Sequence, residues 1–347
     1  MVRVGIVGCG YWGPNLIRTF AELEDVQVAR VSDLRQERLN FIARRYPGIE
    51  GTREAMDVVR DPTIDAVVLA TPPHTHYELA VSALRAGKHV MVEKPLTTAT
   101  EEGEKLVAAA DRLQRALLVG HVFLYSPAVV RIRSLLAEEK LGSVYYISAV
   151  RTNVGPPAAQ IDALWDLAPH DISIVLNFMK ESPEEIFAYG ASFTTSKVVE
   201  TAFLLLRFGD GRLAHIHVGW LTPNKTRLTR MICSQGEVVY DDLQPVQKVQ
   251  VHSPAIDNRT QANAAGASLS YSSGGIWSPP LDSFEPLRAE CQDFIHSVRT
   301  GQRPLSDGRS GLEVVRVLER ASHCLQNNGS SILRKMPSTA SAGAICE

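Results

Sequence analysis

The chain has 347 residues, 45% of them hydrophobic and 21% charged, with a formal net charge of -2. That length accommodates two domains with separate cores, and the near-neutral balance gives no electrostatic reason to expect nucleic acid or a membrane surface as partner. No apolar run reaches the length of about 18 residues that a membrane-spanning helix needs.

Met1 leads directly into a strand-like run, which reads as a chain without a secretory leader. The five cysteines, Cys9, Cys233, Cys291, Cys324 and Cys346, are odd in number and never spaced CxxC. That spacing argues against a disulfide framework or zinc site and for a reducing, cytoplasmic setting.

Strand-like apolar runs fall at Val2–Gly8, Val26–Ser32, Ile64–Ala70, Lys88–Val92 and Leu117–Gly120. Helical periodicity fills the intervals near Asn15–Glu24, Gln36–Tyr46, Arg53–Arg60, His76–Ala86 and Thr100–Gln114. Strands that are apolar throughout and alternate with helices predict a parallel sheet covered on both faces, the doubly wound α/β or Rossmann pattern, over residues 1–120.

The pattern changes after residue 120. A helix near Pro127–Glu139, a half-buried strand at Val144–Arg151 and a helix near Leu167–Met179 precede strands at Ile186–Ser192, Thr201–Phe208, Leu213–Trp220, Arg227–Ser234 and Val238–Asp241. Short turns between successive strands predict a second α/β domain over residues 121–330 with an open, largely antiparallel sheet. Residues 253–283, rich in Ser, Ala, Asn, Gly and Pro, read as a long loop, and helices follow at Pro286–Thr300 and Asp307–Gln326. The stretch from Asn327, including residues 331–347, reads as a frayed tail.

Gly8-Cys9-Gly10-Tyr11-Trp12-Gly13 lies between the first strand and first helix, as a dinucleotide fingerprint requires. Gly8 allows the tight turn, Gly10 the approach of a pyrophosphate, and Gly13 close packing of helix on strand, with Tyr11 and Trp12 beside the cofactor. Asp33, at the end of the second strand, can accept hydrogen bonds from both adenosine ribose hydroxyls and would repel a 2′-phosphate, favouring NAD over NADP. Arg35 and Arg38 lie nearby and pull the other way.

A second segment, Thr71-Pro72-Pro73-His74-x-His76 followed by Ala86-Gly87-Lys88-His89-Val90 and Glu93-Lys94-Pro95, sharpens this reading. These motifs resemble the glucose-fructose oxidoreductase/inositol dehydrogenase/rhizopine catabolism (Gfo/Idh/MocA) family across essentially the whole chain, most weakly over residues 240–283. The resemblance implies an oxidoreductase with Thr71, Pro72, His76 and Glu93 at the cofactor, a cis Lys94–Pro95 bond, and subunit contacts through the second sheet. The nucleotide-sugar-associated branch is favoured by "GCGYWGPNL" and by Pro286–Glu319.

Oxidising a secondary alcohol requires a hydride acceptor, a base and a group that holds the alcohol oxygen. Lys94, at a strand's carboxyl end, can hold the oxygen, and Glu93 either contacts the cofactor amide or orients Lys94. The base is expected in Asp166-x-x-x-His170, which matches the family's catalytic pair. Asp166 is read as a helix cap with Pro169 in the first turn, so that its carboxylate orients His170.

His121, at the domain junction, reads equally as a cofactor contact or a buried structural residue. Arg151, Asn153 and Trp165 either recognise the sugar or its phosphate or stabilise loops. His215 and His217 read as sheet-surface residues, and no metal is expected. The sequence therefore describes an NAD-dependent dehydrogenase of a sugar, cyclitol or sugar nucleotide, acting as a homodimer or homotetramer. An NADPH-dependent ketosugar reductase and a catalytically degenerate cofactor-binding regulator are the alternatives.

Overall fold

Six parallel strands, β1 (Val2–Val7), β2 (Val26–Ser32), β3 (Glu50–Thr52), β4 (Ala66–Leu69), β5 (His89–Glu93) and β6 (Leu117–Gly120), form the first sheet in the order β3-β2-β1-β4-β5-β6. The structure, a computed structural model, describes residues 1–155, 161–194, 198–253 and 275–327. The edge strand β3 has no apolar run to announce it, because it is only Glu-Gly-Thr and largely exposed.

Val4 and Ile6 of β1 join Val68, Met91 and Leu118 in a core closed by α1 (Gly13–Ala21) and α2 (Gln36–Arg45). Val7, Val67, Leu69 and Val92 point the other way, against α3 (Ala55–Val59), α4 (His76–Arg85) and α5 (Thr100–Leu113). Burial on both faces is why strands β4 and β6 are apolar at nearly every position. The strand order reverses between β1 and β4, which opens a crevice at the carboxyl ends of the strands.

The second sheet has eight strands: β7 (Val144–Val154), β8 (Glu185–Ala191), β9 (Thr201–Arg207), β10 (Leu213–Gly219), β11 (Leu221–Cys233), β12 (Gly236–Asp241), β13 (Val249–His252) and β14 (Ile276–Trp277). The order is β14-β13-β12-β11-β7-β10-β9-β8, with β7–β10 the parallel pair and the other pairings antiparallel. One face packs on α6 (Pro127–Ala137), α7 (Ala163–Met179) and α9 (Gly308–Gln326).

The opposite face exposes Tyr146, Phe187, Tyr189, Phe203 and Leu205, and His217 stacks on Phe203 with ring centroids 4.2 Å apart. Of the loop expected over residues 253–283, residues 254–274 lie outside the described residues, as does the tail beyond Asn327.

Three expectations need correction. The helix expected from Leu167 begins at Ala163, because Asp162, not Asp166, caps it: Asp162 Oδ1 accepts the Trp165 amide at 2.8 Å. Pro169 therefore lies inside α7, where its ring removes the bond that residue 169 would have donated to the Trp165 carbonyl. The strand expected from Arg227 begins at Leu221, and its register breaks between Leu221 and Thr226, around Pro223.

Finally, the strands divide at residue 120 but the helices do not. Leu287, Cys291 and Phe294 of α8 (Pro286–Thr300) join the core of the first sheet, and α9 sends Leu312 and Val315 to the first sheet and Val317 and Leu318 to the second.

Candidate active site

The glycine loop leaves β1 at Gly8, whose φ of +97° is a conformation that favours glycine. A Cβ there would lie 2.4 Å from the Ala70 carbonyl oxygen, and one on Gly13 would lie 2.2 Å from that of Gly8. Gly10 differs: a Cβ would meet nothing closer than the Arg35 guanidinium at 3.9 Å, so open space lies before its backbone. Helix α1 begins here with no side-chain cap and no acidic residue in its first turn. Its positive end, behind an open glycine, fits a dinucleotide pyrophosphate.

Asp33 ties the loop down. Its carboxylate accepts the Cys9 amide at 2.8 Å and the Arg35 amide at 2.9 Å, with the Arg35 side chain at 3.3 Å. Burial pushes its pKa up, but these bonds prevail and hold it below the usual carboxylate value. Tyr11 is exposed, whereas Trp12 borders a cleft of about 390 Å³ with Asn15, Val122, Phe123 and Asp242.

At the end of β4, Thr71 and Pro72 flank the crevice, and the Thr71 hydroxyl accepts from Thr75 at 2.7 Å. His76 is not a cofactor contact. It is fully buried, with Nδ1 2.8 Å from the Pro95 carbonyl and Nε2 2.9 Å from that of Thr71, so it clamps the two loops together.

The Lys94–Pro95 peptide is cis. Lys94 Nζ crosses to the second domain, donating to the Asp166 carbonyl at 2.8 Å and lying 3.4 Å from Asp166 Oδ1. Its neighbour Glu93 abuts Gly120, and burial pushes the carboxyl up to about 7 despite the Lys94 charge.

Asp166 and His170 share a face of α7, one turn apart. The Asp166 carboxylate nevertheless meets Lys94, and no hydrogen bond joins it to His170 among the described residues, so the expected orienting role is not what the geometry provides. His170 Nδ1 is buried without a partner, which leaves Nε2 as the nitrogen that can meet a ligand. Burial, then the charges of Lys94, Arg151, His121 and Arg227, holds its pKa well below the ordinary histidine value. The ring is therefore neutral near pH 7 and able to accept a proton.

Three residues expected at the substrate are committed elsewhere. Arg151, 4% exposed, makes a two-bonded pair with Asp171 at 2.7 and 3.1 Å. Trp165 donates its indole N–H to Ser322 at 2.9 Å and packs against both cores. Asn153 donates to the adjacent Val154 carbonyl at 2.8 Å. His121 is 1% exposed, with both ring nitrogens buried, and so does not reach the cofactor crevice.

The sequence reading missed Phe123 and Arg227. The Arg151 guanidinium lies 4.4 Å and that of Arg227 5.4 Å from the Phe123 ring centroid, and the same ring meets His170 edge-on at 4.9 Å. Arg227 is also paired with Asp242 at 3.0 Å. These neighbours come from four separate segments, and no local spacing signals them.

UDP-N-acetylglucosamine 3-dehydrogenase of Acidithiobacillus ferrooxidans is 25% identical over 90% of this chain and 94% of its own length. Its solved structure superimposes with a TM-score of 0.81 at 23% identity, covering 94% of this chain and 97% of that one. Inositol 2-dehydrogenase 2 of Saccharopolyspora erythraea is 27% identical over 86% of this chain and 94% of its own. GenD2 from gentamicin A biosynthesis, solved in complex with NAD, shares the fold at a TM-score of 0.79 and 24% identity, over 94% of this chain and 95% of that one.

The family model described as an oxidoreductase family with an NAD-binding Rossmann fold matches residues 2–121, and the model of the corresponding C-terminal domain matches residues 129–239. The chain belongs to the Gfo/Idh/MocA family of oxidoreductases.

Proposed function

We propose that this oxidoreductase is an NAD-dependent dehydrogenase that oxidises a ring hydroxyl of a sugar, cyclitol or sugar nucleotide. The observation that carries the reading is the placement of Lys94 Nζ against Asp166, beside the neutral ring of His170 and at the carboxyl edge of the dinucleotide sheet. When bound, the dinucleotide supplies a hydride acceptor. Lys94 donates to the alcohol oxygen and stabilises the negative charge that develops there. His170 Nε2 takes the hydroxyl proton. Asp166 holds Lys94 in place, and Arg151, bound to Asp171 and stacked on Phe123, fixes the wall against which His170 stands.

Asp33 supports NAD over NADP, since a 2′-phosphate beside its ionised carboxylate is repelled. Arg35, half-exposed next to Gly10, is the observation that favours the NADP reading. The 323-residue match with a UDP-N-acetylglucosamine 3-dehydrogenase favours a sugar nucleotide as substrate. The bare apolar face of the second sheet supports a homodimer or homotetramer. Buried free thiols at Cys9, Cys233, Cys291 and Cys324, and no helix among the described residues long and apolar enough to cross a membrane, fit a cytoplasmic setting.

The test is formation of reduced nicotinamide from NAD and from NADP with a panel of UDP-sugars, free sugars and inositols. Turnover on a panel member with NAD preferred is the expected result. Preference for NADP hands discrimination to Arg35, and a protein that binds dinucleotide but turns over nothing on the panel is a regulator.

A further inference from the structure

A cavity of about 200 Å³ lies on the first domain, away from the crevice. Among its lining residues His89 opens β5 and Leu117 opens β6, so it sits at the amino ends of these parallel strands. Lys94 follows the opposite, carboxyl end of β5. The other walls are the last turn of α5 and the connection from α8 to α9. Buried Ala110, Pro304 and Gly308 line the interior, with exposed Gln302, Arg303 and Arg309 beside them. A water occupies about 30 Å³ of liquid, so the space admits a tetrahedral oxyanion with water beside it.

Three guanidinium groups, those of Arg115, Arg303 and Arg309, line this cavity against two carboxylates, Asp111 and Asp307. Both carboxylates are committed. Asp111 holds Arg303 at 3.5 Å on one oxygen and Arg309 at 2.7 Å on the other. Asp307 caps α9, accepting the Ser310 amide at 2.9 Å. Arg115 is left over. Its side chain is half-buried, its Nε is enclosed without an acceptor, and no carboxylate pairs with it among the described residues.

The neighbouring groups add donors rather than acceptors. His89 Nδ1 accepts the Ala116 amide at 3.0 Å, which puts the ring proton on Nε2. Burial, then the Arg115 charge, lowers the His89 pKa, so the ring is neutral near pH 7. The last carbonyls of α5 are already met: the Arg115 amide donates to Ala110 at 3.0 Å and the Gln114 side chain to Asp111 at 2.8 Å. Helix α9, 19 residues long, starts at the cavity wall with Gly308 and Arg309 and brings its positive end there.

A half-buried guanidinium without a counter-charge is costly, and its enclosed N–H groups normally find acceptors. Arginine's fork matches phosphate with paired, charge-assisted bonds. The cationic and donor groups reach this cavity from three segments: the α5–β6 connection, the start of β5 and the start of α9. A tetrahedral anion can meet donors from several directions, whereas a planar carboxylate meets them in one plane. We infer that this cavity binds the phosphate group of a small molecule, free phosphate or a phosphate ester, with Arg115 as its main partner and Arg303 beside it. The site is separate from the proposed reaction, and the inference does not rest on the dehydrogenase reading.

Calorimetric titration of inorganic phosphate and of glycerol 2-phosphate into the dinucleotide-saturated protein tests the site. Saturation keeps both probes from the glycine loop, and glycerol 2-phosphate carries no sugar ring for the crevice. One phosphate group is expected to bind per chain. Tighter binding of the ester identifies an ester as the ligand, and equal or tighter binding of inorganic phosphate identifies the free ion; both uphold the site. Arg115→Gln is expected to weaken both probes about tenfold or more, the worth of one charge-assisted hydrogen bond, with dinucleotide affinity unchanged. Arg303→Gln, on an exposed side chain, is expected to weaken them severalfold and carries the test if Arg115→Gln does not fold. Wild-type protein that binds neither probe, or variants that bind both as the wild type does, overturns the inference.

Discussion

The first sheet is covered on both faces and meets solvent chiefly at its ends, whereas the second carries helices on one face and leaves Phe187, Tyr189, Phe203 and Leu205 bare on the other. The two sheets also contribute chemistry differently. The first presents backbone, with a glycine loop, the start of α1 and the strand end that carries Lys94. The second contributes α7, from which Asp166 and His170 reach across to the same crevice. A parallel sheet can place ligands at its edge because all its strands end there together. The mixed sheet has no such edge, so it serves as a platform for the helices that include α7 and as an outward-facing surface.

If the division is right, the largest losses come from the residues that meet at the crevice. Lys94→Met is expected to abolish measurable turnover at every pH, a loss of about 10³-fold or more. Equilibrium titration should show NAD affinity changed little, since the glycine loop and Asp33 are untouched. His170→Asn is expected to cost about 10²–10⁴-fold in kcat, the range for a general base. Because the neutral ring is favoured by burial and by the charges of Lys94, Arg151 and Arg227, the wild-type acid limb should fall below pH 6.5 and should vanish in the variant. Asp166→Asn sharpens the point. With its carboxylate on Lys94, the variant should raise KM and leave the acid limb in place; loss of that limb would instead pair Asp166 with His170.

The outward face offers a different way to break the comparison. Phe203 is 44% exposed and sits across from His217 and Tyr189 in the register of β10, β9 and β8. Phe203→Glu places a charge in the middle of that row and, if the proposed oligomer forms through this face, is expected to leave a 38.0 kDa monomer in sedimentation. A wild-type protein that already sediments as the monomer would show that this face stays open. At the adenosine end, Asp33→Ser is expected to weaken NAD binding about tenfold, roughly one charge-assisted hydrogen bond. It should also narrow the preference over NADP, as direct titration with both dinucleotides would show.

The glycine loop, Lys94-Pro95 and five of the six strands of the first sheet were legible because each is specified by contiguous residues, whereas β3, only Glu-Gly-Thr, was not. A turn, a strand end and an apolar run carry their own local physics. The Asp166–His170 spacing was equally legible, but not the directions of the side chains, since those depend on Lys94 arriving from a residue 72 positions earlier. The start of α7 was misplaced because Pro169 looks like a first-turn proline, and the competing cap, Asp162, carries no distinguishing neighbour in sequence. Phe123 and the Arg151–Asp171 pair were not legible as a unit, because a ring that meets two guanidinium groups exists only once β7, β11 and α7 have packed.

The smallest expected effect tests the assignment of α8 to the first core. Glu290 of α8 is fully buried, and neither carboxylate oxygen has a partner among the described residues. Burial, then the neighbouring charges of Glu93 and Asp293, pushes its pKa well above the usual carboxylate value. Above about pH 4.5 the unfolded chain therefore releases a proton that the folded chain retains. The unfolded state binds fewer protons there, so this residue costs stability progressively as pH rises toward its folded value. Glu290→Gln keeps the shape and cannot ionise, which removes that dependence. Thermal unfolding should show little change at pH 5 and a gain of about 2–4 °C at pH 8, equivalent to about 1 kcal/mol in a chain of this size. An equal shift at both pH values would mean that Glu290 is already ionised in the fold, with a partner that α8 reaches only by sitting differently on the first sheet.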